Sequence, residues 1–247
     1  METDSTLSGR VSLVTGASGG IGQALARRLA AEGAAVALGY GGNAAPARSL
    51  AAEIVTAGGQ AVALGADLRR PEAPGELMQA AEDAFGRVDV LVSNAGLGRV
   101  QPLEDISSAD FDEMVAVNLR APFLLAQRAV PPMRERGYGR VLFISSVAAF
   151  TGGVVGPHYA ASKAGLHGLT HFLAARLAPS GVTVNALAPA LVADTGMLPG
   201  DPGQLREQVP VGRLGRPAEV ADLAVAILLN PYLTNQVISL DGGIYPR

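Results

Sequence analysis

The stretch VSLVTGASGGIGQALARRLAAEG, residues 11–33, sets the reading of the whole chain. A short aliphatic run enters a glycine-rich turn, and an alanine- and leucine-rich helical pattern follows at once. Gly16, Gly20 and Gly22 fall in a G-x-x-x-G-x-G spacing. Lacking Cβ atoms, such a turn lets backbone come close to a ligand, and the helix behind it offers free N–H groups and a positive dipole end. Alone, the glycines would serve equally well as a flexible connection. Between a first strand and a helix they predict a seat for the pyrophosphate of a dinucleotide.

The same alternation continues outward. AVALGY (35–40), AVALGAD (61–67), VDVLVSN (88–94), RVLFISS (140–146), VTVNALAP (182–189) and QVISLDGG (236–243) read as six further strands. Helical patterns at 23–32, 47–57, 76–85 and 157–177 separate them. Strand-helix alternation predicts an α/β fold, a Rossmann-type doubly wound parallel sheet of about seven strands with helices on both faces. The 247 residues suit one domain, with no linker or repeat to divide them. Residues 190–217, rich in Gly and Pro, form the one long irregular stretch and predict a lid.

Composition excludes several kinds of chemistry. The chain has no cysteine, so disulfides, thiolate metal sites and a cysteine nucleophile are out, and three histidines make a histidine-rich metal centre improbable. A net charge of −3 gives no reason to expect nucleic acid. The N-terminal METDSTLSGR lacks a basic, apolar leader and no apolar run reaches membrane-spanning length, which predicts a cytoplasmic protein that neither enters nor binds membrane.

HYAASKAG (158–165) places one of only five tyrosines, Tyr159, four residues before Lys163. On a helix that spacing stacks the two side chains on one face, and a neighbouring ammonium favours phenolate over phenol. By itself the pair reads as two neighbours. Taken in order, however, TGASGGIG (15–22), Asp67, SNAG (93–96), Asn118 in VAVNL, Ser146 in ISS, YAASK (159–163) and VNALAP (184–189) resemble the short-chain dehydrogenase/reductase family over almost the whole length. Ser146 lies thirteen residues before Tyr159, as that pattern has it.

The resemblance implies an oxidoreductase in which Tyr159 is the general acid or base for a carbonyl oxygen. Lys163 would lower the tyrosine's pKa and hold the nicotinamide ribose, Ser146 would donate to the substrate oxygen, and Asn118 would hold a water leading from Lys163 to solvent. The cofactor would contact Gly16, Ser18, Gly20, Ile21, Gly22, Tyr40, Asn43, Asp67, Leu68, Asn94, Ala95, Gly96, Pro189, Val192 and Thr195, besides Tyr159 and Lys163. Asp67 reads alternatively as a helix N-cap, and Asn94 as partly structural. At the end of the second strand Tyr40 stands where a carboxylate would repel a 2′-phosphate, so NADPH/NADP+ is favoured, with NAD open. Ser145, one residue from Ser146, should face the opposite way. His158 reads as a partly exposed residue at a helix start, and His167 and His171 as helix-face residues near a subunit contact.

The pattern is closest to that of 3-oxoacyl-carrier-protein reductases, through GRVLFISS, YAASKAGLHGLT and GRLGRPAEVADL. This implies NADPH-dependent reduction of a 3-oxoacyl thioester on acyl-carrier protein or CoA, in a homotetramer packed through the helices at 125–134 and 157–177. Arg134, Arg136 and Arg140, with Arg128, are candidates for a basic patch beside the site that meets an acidic carrier protein, or else an ordinary solvated helix end. Another alcohol, sugar or polyketide ketone is the alternative substrate, and a non-catalytic NADP sensor the alternative of another class.

Overall fold

Seven strands, β1 (Val11–Thr15), β2 (Ala35–Tyr40), β3 (Ala61–Gly65), β4 (Val90–Ser93), β5 (Gly139–Ile144), β6 (Val182–Pro189) and β7 (Val237–Leu240), build one parallel sheet in the order β3-β2-β1-β4-β5-β6-β7. The computed structural model describes residues 6–198 and 200–245; the start of the N-terminal stretch, Pro199 of the expected lid and the last two residues lie outside the described residues. The helices are α1 (Gly20–Ala31), α2 (Ala44–Thr56), α3 (Ala73–Phe85), α4 (Ser108–Val115), α5 (Ala121–Glu135), α6 (Ala148–Thr151), α7 (Pro157–Leu177), α8 (Pro202–Glu207) and α9 (Pro217–Leu229). None of them is long and apolar enough to cross a membrane.

Successive residues of a strand face opposite sides of the sheet, and here both sides are buried. Val14, Leu142 and Ile144 pack with Leu25, Leu29, Val220 and Val225 of α1 and α9. Leu13, Val141 and Phe143 pack with Leu77, Leu125, Met133 and Leu166 of α3, α5 and α7. Each such side chain contributes roughly 1.5–3 kcal/mol when fully buried. Because all strands run one way, their carboxyl ends share one edge. The chain turns outward from β1 in both directions, so a crevice opens between β1 and β4 at that edge.

The strands agree with the sequence expectation to within a few residues, and the differences have local causes. β3 stops at Gly65 rather than Asp67, because Asp67 turns back to accept a hydrogen bond from the Arg69 backbone N–H at 3.1 Å. β7 stops at Leu240, since Gly242 and Gly243 enter a turn with φ of +64° and +93°. The 190–217 stretch is less irregular than expected. It contains α8, capped by Asp201, and Val192 pairs with Gly215 as an isolated parallel bridge.

The arginines expected beside the site lie elsewhere. Arg140 is the second residue of β5 and Ser146 follows the end of that strand, about 20 Å away at 3.3 Å per residue. The Arg140 guanidinium is buried, donating to the carbonyls of Leu228, Gly139 and Gly181, and burial lowers its pKa. Arg136 donates to Val88 O at the same amino edge, and Arg128 pairs with Glu82. These three cations hold elements together away from the carboxyl edge.

Gly22 shows how tightly the turn after β1 is built: a Cβ there would lie 2.1 Å from Gly16 O. Gly22→Ala is therefore expected to cost about 1–3 kcal/mol and to lower the thermal midpoint by several degrees. Gly75→Ala, in the first turn of α3 with nothing within 4 Å, should instead stabilise by about 0.5–1 kcal/mol. Calorimetry on the two variants checks both signs.

Candidate active site

At the carboxyl edge the turns after β1 and β4 are clamped together. Thr15 Oγ1 accepts from the N–H groups of Asn94 (3.0 Å) and Ala95 (2.9 Å), and Asn94 Nδ2 donates to Thr15 O at 2.9 Å. Gly16, at φ +68°, lets the turns touch; a Cβ would sit 2.8 Å from Ala95 Cα. Asn94 is thus committed to structure, and Thr15, to which the motif assigned no role, is its partner.

The N-terminus of α1 is open to an anion. Its cap position, Gly19, is extended and carries no side-chain cap, and the first turn has no acidic residue. The unpaired N–H groups and the dipole end therefore suit a pyrophosphate. Gly20 faces away from the crevice, where a Cβ would meet Asp194 O at 2.1 Å, and Gly22 faces Gly16 O. Their own contribution is close packing, on which the shape of the turn rests.

A cleft of about 390 Å³ runs from this turn past the ends of β2 and β3, lined by Ser18, Tyr40, Gly42, Asp67, Leu68 and Arg69 among others. The residues present fit an adenosine half. Gly41 and Gly42 have open space where side chains would stand. Asn43 is outside the lining and precedes α2 without capping it. Asp67 does not cap α3, whose cap position is Glu72. Its carboxylate accepts from Arg69 Nε and Nη2 at 2.8 Å each, and those bonds hold it below the usual carboxylate range. Arg69, which also lies 3.5 Å from Glu113, was not singled out from sequence. Nothing in its local pattern separates it from Arg70, which pairs with Glu76 at the surface.

The second cleft, about 90 Å³, brings together Ile21, Asn94, Ser146, Tyr159, Lys163, Pro189, Val192 and Thr195. Tyr159 and Lys163 stand one turn apart on α7 and are 7% and 2% exposed. Lys163 Nζ donates to Ile144 O at 2.8 Å, at the end of β5, and lies 5.9 Å from the centre of the Tyr159 ring. Ser146 lines the same cleft as the Tyr159 ring and favours its phenolate. Thr195 Oγ1 donates to Val192 O at 3.1 Å, which folds the loop after β6 across the cleft. Gly98, also unflagged by sequence, faces Tyr159 Cε2 and Met197 Sδ; a Cβ there would lie 3.6 and 3.4 Å from them.

Asn118 sits in a π-helical turn, Ala116–Arg120, between α4 and α5. Its Oδ1 accepts from Leu97 N at 2.7 Å, and its Nδ2 donates to Leu97 O and to Ser162 Oγ. The irregular turn brings the amide within reach of both the β4 loop and α7. A Cβ on Gly96 would be 3.3 Å from Lys163 Nζ and 3.4 Å from Asn118 Oδ1, so glycine keeps the two groups close.

The protonation balance differs from the expectation in one respect. Burial pushes the Tyr159 phenol above its ordinary value, and Ser146 only partly opposes this. Burial also lowers Lys163 to about 8, so its field is weakened by the same dry surroundings that raise the tyrosine. The expected downward shift of Tyr159 is therefore absent from the protein on its own.

Ser145, which lines the same cleft, directs its hydroxyl to α7 and donates to Lys163 O. His158 corrects the expectation of an exposed side chain: it is fully buried, its ring packed under Gly156. His167 and His171, read as helix-face residues, each contact another part of the chain. The first contacts Ser145 and the second contacts Asn235 Oδ1 at 2.7 Å.

Residues 10–202 match the family described as short chain dehydrogenase. A 3-oxoacyl-[acyl-carrier-protein] reductase of Synechocystis sp. is 37% identical, over 96% of this chain and 98% of its own. An L-rhamnose 1-dehydrogenase (NAD(P)(+)) of Azotobacter vinelandii is 38% identical, over 94% and 95%. The crystal structure of a blue fluorescent protein from a metagenomic library, in complex with NADPH, superposes with a TM-score of 0.92 at 35% identity, covering 98% of this chain and all of that one. With the glycine turn, the strand order and the Ser146-Tyr159-Lys163 cleft at one edge, these relationships show that the chain belongs to the short-chain dehydrogenase family of NAD(P)-dependent oxidoreductases acting on CH–OH and C=O groups.

Proposed function

We propose that the protein reduces 3-oxoacyl thioesters to 3-hydroxyacyl thioesters with NADPH. The observation that carries the chemistry is the one cleft lined by Ser146, Tyr159 and Lys163, with Lys163 one helical turn from the tyrosine. The substrate class rests on the similarity to the Synechocystis reductase over nearly the full length of both chains. The preference for NADPH rests on Tyr40 in place of a carboxylate at the end of β2, which leaves a 2′-phosphate unopposed. The NADPH held by the metagenomic neighbour agrees with it.

When bound, the nicotinamide supplies hydride to the carbonyl carbon. Ser146 orients the carbonyl oxygen and donates to it as negative charge grows there. Tyr159 gives the same oxygen its proton. A phenol raised by burial is fully protonated at neutral pH, as reduction needs. Lys163 then makes the phenolate tolerable, and Asn118, fixed by Leu97 and Ser162, holds the wall behind the ammonium. The loop at 190–217, anchored by the Val192–Gly215 bridge, acts as the lid. Phe123 on α5 and Phe172 on α7, 43% and 55% exposed, support tetramer packing through those helices. A sugar or other small alcohol is the second reading, favoured by the Azotobacter relative, whose identity and coverage are similar.

Initial rates of NADPH and NADH oxidation with acetoacetyl-CoA test the reading. NADPH is expected to be preferred, and Tyr159→Phe to lose about 10³-fold or more in kcat with NADPH affinity retained. A negligible rate with the thioester alongside rapid oxidation of L-rhamnose would replace the substrate with a sugar.

Lys163 also carries a stability signature. Its pKa is about 8 in the folded chain against 10.5 ordinarily. Between those values the unfolded chain binds the extra proton, so the stability of the native protein rises with pH across that window. Below about 8 the burial cost is fully present, on the order of 3 kcal/mol. Relative to Lys163→Met, the wild type should therefore gain that amount between pH 7 and 10.5, read from urea midpoints at each pH. Parallel profiles would remove the buried-ammonium account.

A further inference from the structure

The reaction as described makes no use of His167, yet its ring is built into the back of the catalytic cleft. His167 lies on α7, four residues after Lys163 and therefore on the same face. Its Nε2 is 2.8 Å from Ser145 Oγ, and the same Oγ donates to Lys163 O at 3.1 Å. A serine hydroxyl has a single hydrogen, and the Lys163 carbonyl can only accept. With the hydroxyl proton given to the Lys163 carbonyl, the remaining bond is one that His167 Nε2 donates in its Nε2–H tautomer. On the far side of the imidazole lies Phe150, with ring centres 4.6 Å apart, and Tyr245 stacks on Phe150 at 5.4 Å and 2°.

We infer that His167 is a positioning residue, which, by donating to Ser145, sets where the end of β5, and with it Ser146, stands relative to Tyr159 and Lys163. The sheet side of this segment is already fixed, because Ser145 N donates to Leu187 O and Val147 N to Pro189 O, both on β6. Towards the helix it is held at two neighbouring points, Ile144 O by the Lys163 ammonium and Ser145 Oγ by the Lys163 carbonyl and His167. Remove the His167 donor and Ser145 Oγ keeps its donation to the Lys163 carbonyl alone, a single bond about which the strand end can shift against α7 by a fraction of an ångström. Reactions that need Ser146 and Tyr159 on one oxygen are sensitive to displacements on that scale.

The aromatic stack extends the same device to the lid. Tyr245 N donates to Asp241 Oδ2, while Gly242 O accepts from Val211 N of the lid stretch. A contiguous path of contacts therefore joins the segment around Val211, the turn at 241–245, Phe150, His167 and Ser145.

This inference rests on the roles proposed above for Ser146, Tyr159 and Lys163. The test compares wild type, His167→Leu, His167→Gln, Ser145→Ala and the His167→Leu/Ser145→Ala double variant. NADPH oxidation is measured with acetoacetyl-CoA or, if that thioester is not turned over, with L-rhamnose and NADP+ in the oxidative direction. His167→Leu and Ser145→Ala are each expected to lower kcat by about tenfold or more, with the KM for the nicotinamide cofactor within about twofold. The double variant should be no worse than the poorer single one, as for two residues acting in series. Gln, whose Nε2 can replace the imidazole donor, should recover most of the loss.

Wild-type kcat in His167→Leu would overturn the inference, as would losses that multiply in the double variant. Equal loss in Leu and Gln variants with a matching fall in thermal midpoint would mean packing alone, and would overturn it too. If His167→Leu fails to fold, Ser145→Ala decides: unchanged kcat there overturns the inference. Tyr159→Phe, which leaves all the His167 contacts in place, separates the two levels. Retained turnover in it would sink the catalytic reading and the inference with it, whereas an inactive Tyr159→Phe beside a fully active His167→Leu would sink only the role of His167.

Discussion

An ammonium buried between the end of β5 and the face of α7 organises the carboxyl edge of the sheet in this protein. Lys163 has almost no contact with solvent and a single bond from Nζ, to Ile144 O, so its charge is stabilised chiefly by being close to that strand end. The position costs stability, which is why burial lowers its pKa to about 8. Several neighbours are arranged around that cost. Gly96 has no side chain to keep Asn118 away, the π turn lifts Asn118 into the same space, and Ser145 ties the Lys163 backbone to the sheet. Tyr159 one turn before, and Ser146 two residues after Ile144, take their separation from this junction. This costly burial persists because a sheet and a long helix hold the junction from both sides.

The cofactor half of the edge depends on a different constraint, the clamp between the turns after β1 and β4. With Thr15 and Asn94 exchanging bonds, the two strands on either side of the crevice cannot splay, and the bare N-terminus of α1 is held facing it. The two halves meet where Asn94 and Ile21 line the same small cleft as Tyr159. A dinucleotide held in that crevice would have a helix dipole at one end and Tyr159 at the other.

How much of this could be read beforehand depended on the range of the interaction involved. Strand-helix alternation, the glycine turn and the 3.6-residue spacing of Tyr159 and Lys163 are local properties, and they were legible. The Arg128–Arg140 cluster was misplaced for a tertiary reason: α5 runs antiparallel to the strands, so cations near its end arrive at the amino edge, away from the chemistry. His158 was misjudged because a helix start is exposed only if no loop covers it, and here the segment ending at Gly156 does. Arg69 and Gly98 gave no signal, since each is defined by what another part of the chain brings to it.

The sequence alone therefore determined the fold class and the order of the elements, because periodicity, glycine placement and side-chain type act over a few residues. Tertiary structure decided the protonation of Tyr159 and Lys163 and their partners. The direction in which the Tyr159 pKa moves is a competition between burial and a neighbouring charge, and neither the dryness of the cleft nor the distance to Lys163 exists before the chain has folded.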